Sequence, residues 1–250
     1  METPAAPTPS PSPSGGAKSP FFASLPRSAI VGVARELVIL EGQTFLMDVP
    51  RDSDKLLDHP DVEKFNQQDE YMPYWADIWP SARMLGKAIL REDWTRYAAI
   101  DGTLPEALEI GCGLGLPGIV ALKMGLRVTF SDYDILAMEY AAANAKINGF
   151  RNYRTLPVDW RSPPDDLKVG VVLASDVIYE ARNIDPLLNC LRRVLLPGGF
   201  CLMADQDRNP SALLKERLTA EGFAFTTETT RAGEPGGPRV KGTIYRIVPG

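Results

Sequence analysis

The chain is poor in the residues that build metal centres and disulfide frameworks: three cysteines and one histidine in 250 residues. Cys112, Cys190 and Cys201 are odd in number, far apart and form no C-x-x-C pair. That pattern argues against a disulfide scaffold and against a zinc site and fits a reducing interior. A single histidine rules out a multi-histidine metal centre; His59, just before Pro60 in a polar stretch, reads as a helix cap or a surface residue. No apolar run is long enough to span a bilayer, and the first residues lack the basic start and apolar stretch of a signal peptide, so a cytoplasmic protein with no membrane partner is expected. Basic residues interleaved with aromatics are also missing. With a formal net charge of −5, this argues against a nucleic-acid surface.

What is present suffices for one domain with a sizeable core, since 44% of the residues are hydrophobic. Residues 1–20 are Pro, Ser, Thr, Ala and Gly with almost nothing to bury, and read as a disordered tail. Residues 21–79 read as an N-terminal extension. Within it, Leu37–Leu40 and Thr44–Met47 form a hairpin about Glu41-Gly42-Gln43. In Asp54–Gln67, Pro60 is expected to interrupt any helix. Tyr71–Pro80 packs four aromatics into ten residues before a helix that Ser81 is expected to cap, with Met84, Leu85, Ala88 and Ile89 on its apolar face.

From residue 80 to the end the pattern alternates strand and helix. Strands are expected at Ala107–Ile110, Arg127–Ser131, Tyr153–Val158, Val169–Ala174 and Phe200–Ala204. Helices are expected at Leu116–Met124, Ile135–Asn148, Ile184–Leu196 and Ser211–Glu221. The alternation then breaks. Phe223–Thr230 and Val240–Val248 both read as strands, and the Gly/Pro-rich stretch between them is too short for a crossover helix, so they should pair antiparallel. The expected fold is α/β: a doubly wound, mostly parallel seven-stranded sheet that ends in an antiparallel hairpin and binds ligands at the carboxyl ends of its strands.

The chemistry centres on Ala107–Gly118, A-L-E-I-G-C-G-L-G-L-P-G. Strand, glycine turn and helix make a nucleotide-cofactor site, because glycine lets the backbone approach a ligand and the helix N-terminus offers free N–H groups. Three carboxylates stand at strand ends: Glu109 in the first strand, Asp132 after the second, Asp159 after the third, with Trp160 beside it. Asp132 lies about twenty residues past the glycines, where an acid accepts from ribose hydroxyls. Gly113, Gly115 and Gly118 also satisfy the dinucleotide pattern G-x-G-x-x-G. Against a dinucleotide stand Glu109, which would repel a pyrophosphate but suits an ammonium group, and the closing hairpin, which leaves no room for a dehydrogenase's substrate domain. S-adenosylmethionine carries an adenosine, an ammonium and a carboxylate, and suits all these groups.

With these residues the chain resembles the class I (seven-β-strand) methyltransferases, Rossmann-like enzymes, and within them the methyltransferase family 16 group, which contains many protein-lysine methyltransferases. The likeness runs over about Tyr71–Val248. It rests on P-Y-W-A-D-I-W-P-S-A, E-I-G-C-G-L-G-L-P-G-I, S-D-Y-D, D-W and S-D-V-I-Y-E. It implies a cofactor shell of Trp79, Glu109, Gly111, Cys112, Gly113, Asp132, Trp160 and Ser175. It also implies that Asp176 and Tyr179, the D-x-x-Y after strand four, lie beside the transferred methyl group as catalytic residues. The run S-D-V-I-Y lacks the prolines of the N/D-P-P-Y/F signature of base methyltransferases, which again argues against a nucleic-acid substrate. The acceptor implied is a lysine of a protein. A small molecule with an amine or hydroxyl is the alternative, and a cofactor-binding module without catalysis is a third reading.

Overall fold

A computed structural model of the chain describes residues 22–250, Pro235 excepted. The expected tail, residues 1–20, lies outside the described residues. Two strands, β1 (Val33–Leu40) and β2 (Gln43–Pro50), form the expected hairpin as a separate two-stranded antiparallel sheet. Short helices α1 (Asp54–Leu57) and α2 (Pro60–Asp69) follow. The helical stretch is interrupted before Pro60, as expected, and Pro60 itself begins α2, because proline fits a first turn whose N–H has no intrahelical partner. His59 is the cap, its Nδ1 accepting the Asp61 N–H at 3.2 Å.

Helix α3 (Pro80–Arg91) leads into the main sheet. Its elements are β3 (Glu106–Ile110), α4 (Leu116–Lys123), β4 (Arg127–Asp132), α5 (Ile135–Ile147), β5 (Tyr153–Pro157), β6 (Val169–Ser175), α6 (Ile184–Val194), β7 (Leu195–Asp205), α7 (Pro210–Ala220), β8 (Ala224–Ala232) and β9 (Val240–Val248). The strand order in this seven-stranded sheet is β5-β4-β3-β6-β7-β9-β8. All neighbours are parallel up to β7, and β9 pairs antiparallel with both β7 and β8. The topological switch falls between β3 and β6, where the crossovers change direction and a crevice opens beyond the strand ends.

Strand parity sorts side chains onto the two faces. Leu108 and Ile110 of β3 face a core made with α6 and α7, while Ala107 faces the core made with α3, α4, α5 and the β1–β2 hairpin. Glu109 shares the parity of Ala107 and so points under α4. Helix α6 ends two residues earlier than its apolar pattern suggests. Leu195 already pairs with Val169, and the register shifts before Phe200 pairs with Val171. Gly199 permits this shift, since a Cβ there would lie 2.7 Å from the Gly170 carbonyl oxygen.

The N-terminal hairpin is fixed to the main sheet by two asparagines one turn apart, Asn144 in the last turn of α5 and Asn148 at its C-terminal cap. Asn144 accepts the Asp48 N–H through Oδ1 at 2.7 Å and donates to the carbonyls of Asp48 and Leu114 at 3.1 and 3.0 Å. Asn148 repeats the pattern on Leu46, at 3.0 Å for the N–H and 2.7 Å for the carbonyl. Each side-chain amide replaces a neighbouring strand, so the edge of β2 is satisfied without a further β-strand. Asn144→Ala leaves these buried backbone groups unpaired and should cost about 1–3 kcal/mol, read as a lower midpoint in urea unfolding; an unchanged midpoint would show that the amide does not secure the hairpin.

Candidate active site

Beyond the end of β3 the chain turns through Gly111, Gly113 and Gly115 with φ of +57°, +50° and +82°, a left-handed path that side chains disfavour. Helix α4 starts at Leu116, and proline is tolerated at its second position. The floor of the turn is tight: a Cβ on Gly118 would lie 2.4 Å from both Glu109 Oε2 and Phe130 Cε1. The turn lines one wall of a cavity of about 400 Å³. The remaining walls are the ends of β4 (Asp132, Tyr133) and β6 (Ser175, Asp176), the residues Val177 and Tyr179, Trp160 after β5, Arg208 after β7, and the segment Met72–Trp79.

Asp132 is almost fully buried and faces this cavity. Its Oδ2 accepts the Gly113 N–H and its Oδ1 the Asp134 N–H, each at 3.0 Å, which ties the glycine turn to β4. Burial pushes its pKa up to about 7, against the pull of these N–H donors. Asp134, not Asp132, caps α5, accepting from Leu136 and Ala137, and also takes the Tyr71 hydroxyl. Tyr71, fully buried beside Phe65 and Tyr133, thereby anchors the aromatic segment at the rim.

Glu109 and Asp159 do not join the cavity wall. Glu109 is buried behind the turn, where its Oε2 accepts the Gly118 N–H at 3.0 Å. Among the described residues its Oε1 has no hydrogen-bond partner, and burial holds the carboxyl well above its ordinary pKa. The carboxyl therefore braces the turn from beneath through Oε2. Asp159 is held by its own turn: Oδ1 accepts the Arg161 N–H at 3.0 Å, and the Arg161 guanidinium grips both oxygens at 2.8 Å. The neighbouring Trp160 does reach the cavity.

The far end of the cavity is aromatic and charged. Trp79 donates its indole N–H to the Tyr74 carbonyl at 2.7 Å. The Tyr74 ring meets Trp79 and Tyr179 edge to face, with centroids 6.2 and 5.7 Å apart. Asp176 stands beside them with a left-handed backbone, φ +57°, a strained conformation for a non-glycine residue that recurs at functional sites. Its Oδ2 accepts from Gln206 Nε2 and, at 3.2 Å, from the Arg208 guanidinium. Burial raises the Asp176 pKa, opposed chiefly by the Arg208 charge. Ser81 does not cap α3. Trp79 occupies the cap position and Pro80 the first turn, and Ser81 is buried one residue further into the helix.

The sequence-expected residues Trp79, Gly111, Cys112, Gly113, Asp132, Trp160, Ser175, Asp176 and Tyr179 thus share one cavity. Gln206 and Arg208 were not anticipated. The signal for them is the Q-D-R run directly after β7, the strand hydrogen-bonded to β6, whose end carries Asp176.

A family model described as lysine methyltransferase matches residues 63–215, from within α2 through β3–β7 and into α7. The chain belongs to the lysine methyltransferase family. Among curated relatives of this chain, a histidine protein methyltransferase 1 homologue of Dictyostelium discoideum is 34% identical over 113 residues, 43% of this chain and 37% of that protein. Histone-arginine methyltransferase METTL23 of Xenopus laevis is 28% identical over 125 residues, 48% of this chain and 51% of that protein. The chain thus spans about half, or less, of the length of these relatives. A crystal structure of ribosomal protein L11 methylase from Lactobacillus delbrueckii superposes with a TM-score of 0.53 at 19% identity, over 68% of this chain and 78% of that one. The T. thermophilus 16S rRNA N2 G1207 methyltransferase, solved with AdoMet and guanosine, superposes with a TM-score of 0.55 at 14% identity, over 85% of this chain and 50% of that one. Likenesses at such identity establish the shared class I methyltransferase fold.

The residues present fit S-adenosylmethionine. The carboxylate of Asp132 faces the cavity where ribose hydroxyls can donate to it, and Trp160 offers a flat ring nearby. Gly113 lets the turn pass close to the aromatic segment that faces it, since a Cβ there would crowd the Trp75 carbonyl at 3.2 Å. Among the described residues, no group of three or more His, Cys, Asp or Glu side chains is placed to hold a metal ion. No helix there is long and apolar enough to cross a membrane.

Proposed function

We propose that this methyltransferase transfers the methyl group of S-adenosylmethionine to a side-chain nitrogen of a protein, with lysine as the acceptor. The observation that carries the reading is the juxtaposition, in one cavity, of the glycine turn and Asp132 with Asp176 and Tyr179. The family match and relatives named for histidine, arginine and ribosomal-protein methylation support a protein acceptor.

When bound, the sulfonium supplies an activated methyl group for in-line displacement by a nitrogen lone pair. What the chain must add is alignment and exclusion of water. A lysine amine must first lose its proton, which at pH 7 costs about 4–5 kcal/mol from an unperturbed pKa of about 10.4. A buried, water-poor site lowers that cost, because desolvation disfavours the ammonium. Asp176 is suited to orient the amine and to take its proton through water. Trp79, Tyr74 and Tyr179 form apolar walls around a narrow side chain. We place the cofactor's ribose at Asp132 and its adenine near Trp160, with Gly111, Cys112, Gly113 and Ser175 along the rest of the molecule.

Incubation with labelled methyl donor and a lysate of the source organism, followed by hydrolysis of the labelled protein, should yield Nε-methyllysine. Label confined to small molecules, or no transfer at all, would contradict the reading.

Cofactor affinity should depend on pH through Asp132. Donation by ribose hydroxyls favours the carboxylate, whereas at pH values below about 7 the buried carboxyl is mostly protonated. Affinity should therefore fall as pH drops, about fivefold between pH 7 and pH 6, when followed by calorimetry. A flat profile would remove the Asp132 carboxylate from cofactor binding.

A further inference from the structure

The cavity already contains a cation from the chain itself. Arg208 reaches in from the short segment between β7 and α7, where its guanidinium lies 3.2 Å from Asp176 Oδ2 and 5.4 Å from the centroid of the Trp79 ring. A carboxylate on one side and an aromatic face on the other form a pair of contacts that recognises organic cations. The Arg208 side chain retains about a third of its exposure, at 36%, whereas that of Asp176 retains 10%. The carboxylate is thus fixed in the wall and the guanidinium is the part free to leave.

The backbone around Arg208 is pinned. Asp205 Oδ2 accepts the Asp207 N–H at 2.8 Å and also the Ser211 hydroxyl, and the Arg208 carbonyl accepts the Ser211 N–H at 2.9 Å. On the other side the Thr243 hydroxyl donates to Asp207 Oδ1 at 2.6 Å. Withdrawal of the guanidinium therefore needs only side-chain rotation and no opening of the loop.

We propose that Arg208 is a displaceable internal occupant of the acceptor subsite, holding the place between Asp176 and Trp79 that the acceptor's cationic side chain takes on entry. This deepens the reading above and rests on it for the identity of the acceptor. Its consequence is specificity. An acceptor gains entry by exchanging its own cation for that of Arg208, so Asp176 keeps a positive partner throughout, and a neutral side chain of similar size cannot displace it. The cost of exchange is that of one partly exposed ion pair and one ring contact. Removing Arg208 should therefore tighten binding of a cationic probe by a modest factor, about three- to fivefold.

The test uses n-butylammonium and n-butylguanidinium as probes, with neutral pentanamide as the control. Binding is followed on the indole N–H resonance of Trp79, which Trp79→Phe identifies. Arg208→Ala, and Arg208→Gln in case the alanine variant is unstable, should bind both cations about three- to fivefold more tightly than the unaltered chain, with pentanamide unchanged. Equal or weaker cation binding in the variants would overturn the proposal. So would an equal gain for pentanamide, which would mean that the substitution merely enlarges the cavity. The titration requires neither cofactor nor turnover. Should S-adenosylmethionine fail to bind, the functional reading falls while the exchange at Arg208 is still decided.

Discussion

Asp176→Asn is expected to slow methyl transfer by about 10²–10⁴-fold while leaving S-adenosylmethionine affinity within about threefold, the span usual for loss of a positioned acid–base group. The substitution is a clean one. Asparagine is among the few residues that tolerate the left-handed backbone found at Asp176, and it keeps the size of the side chain. What it removes is the charge. That charge is held in place by Gln206 and Arg208 in a site whose burial works against it. The use we propose for this carboxylate, which an amide cannot meet, is to take the proton that an acceptor ammonium must lose. Single-turnover kinetics separate the two effects, since cofactor binding and transfer are read independently. Unchanged transfer would remove Asp176 from the mechanism, and a parallel loss of cofactor affinity would make it a structural residue.

Gly118→Ala is expected to destabilise the fold by about 3 kcal/mol, the upper end for an overpacked core site, and to lower Tm by about 6–12 °C. The new methyl would sit 2.4 Å from two groups that cannot retreat. Phe130 is fully buried in the sheet, and Glu109 is buried with its Oε2 bonded to the residue 118 N–H itself. Because that bond is the brace beneath the glycine turn, the same substitution should weaken cofactor binding, although residue 118 does not line the cavity. Thermal melts followed by calorimetry check both effects. A variant of normal Tm would show that the turn floor can yield.

Much of the fold was legible because periodicity and punctuation agree. Val169–Ala174 is apolar throughout and is buried on both faces as β6, and the loop before Val240 is too short for anything but an antiparallel pair. Boundaries slipped where tertiary pairing overrides local pattern. Leu195 is claimed by Val169 as a strand partner although its spacing continues α6. Pro60 has two opposite meanings, breaker or first-turn residue, and only the cap at His59 distinguishes them.

Of the site, the glycines, Asp132 and the D-x-x-Y pair could be found because strand ends converge at a switch point. Two of the expected carboxylates stand outside the cavity wall for local reasons. Glu109 follows strand parity to the α4 face, and Asp159 is claimed by Arg161 two residues on. Gln206 and Arg208 escaped because their partner, Asp176, is thirty residues distant, and no spacing rule joins the ends of adjacent strands. The hairpin's attachment through Asn144 and Asn148 was equally hidden. Asparagines four apart on a helix carry no mark of the strand that they complete.

The central claim is that the cavity beyond β3 binds a methyl donor and not a dinucleotide. Isothermal titration with S-adenosylmethionine and, separately, with NAD tests it most directly, with Asp132→Ala alongside. The geometry predicts saturable binding of S-adenosylmethionine, markedly weakened by Asp132→Ala, and no heat with NAD. Binding of NAD without S-adenosylmethionine would contradict it.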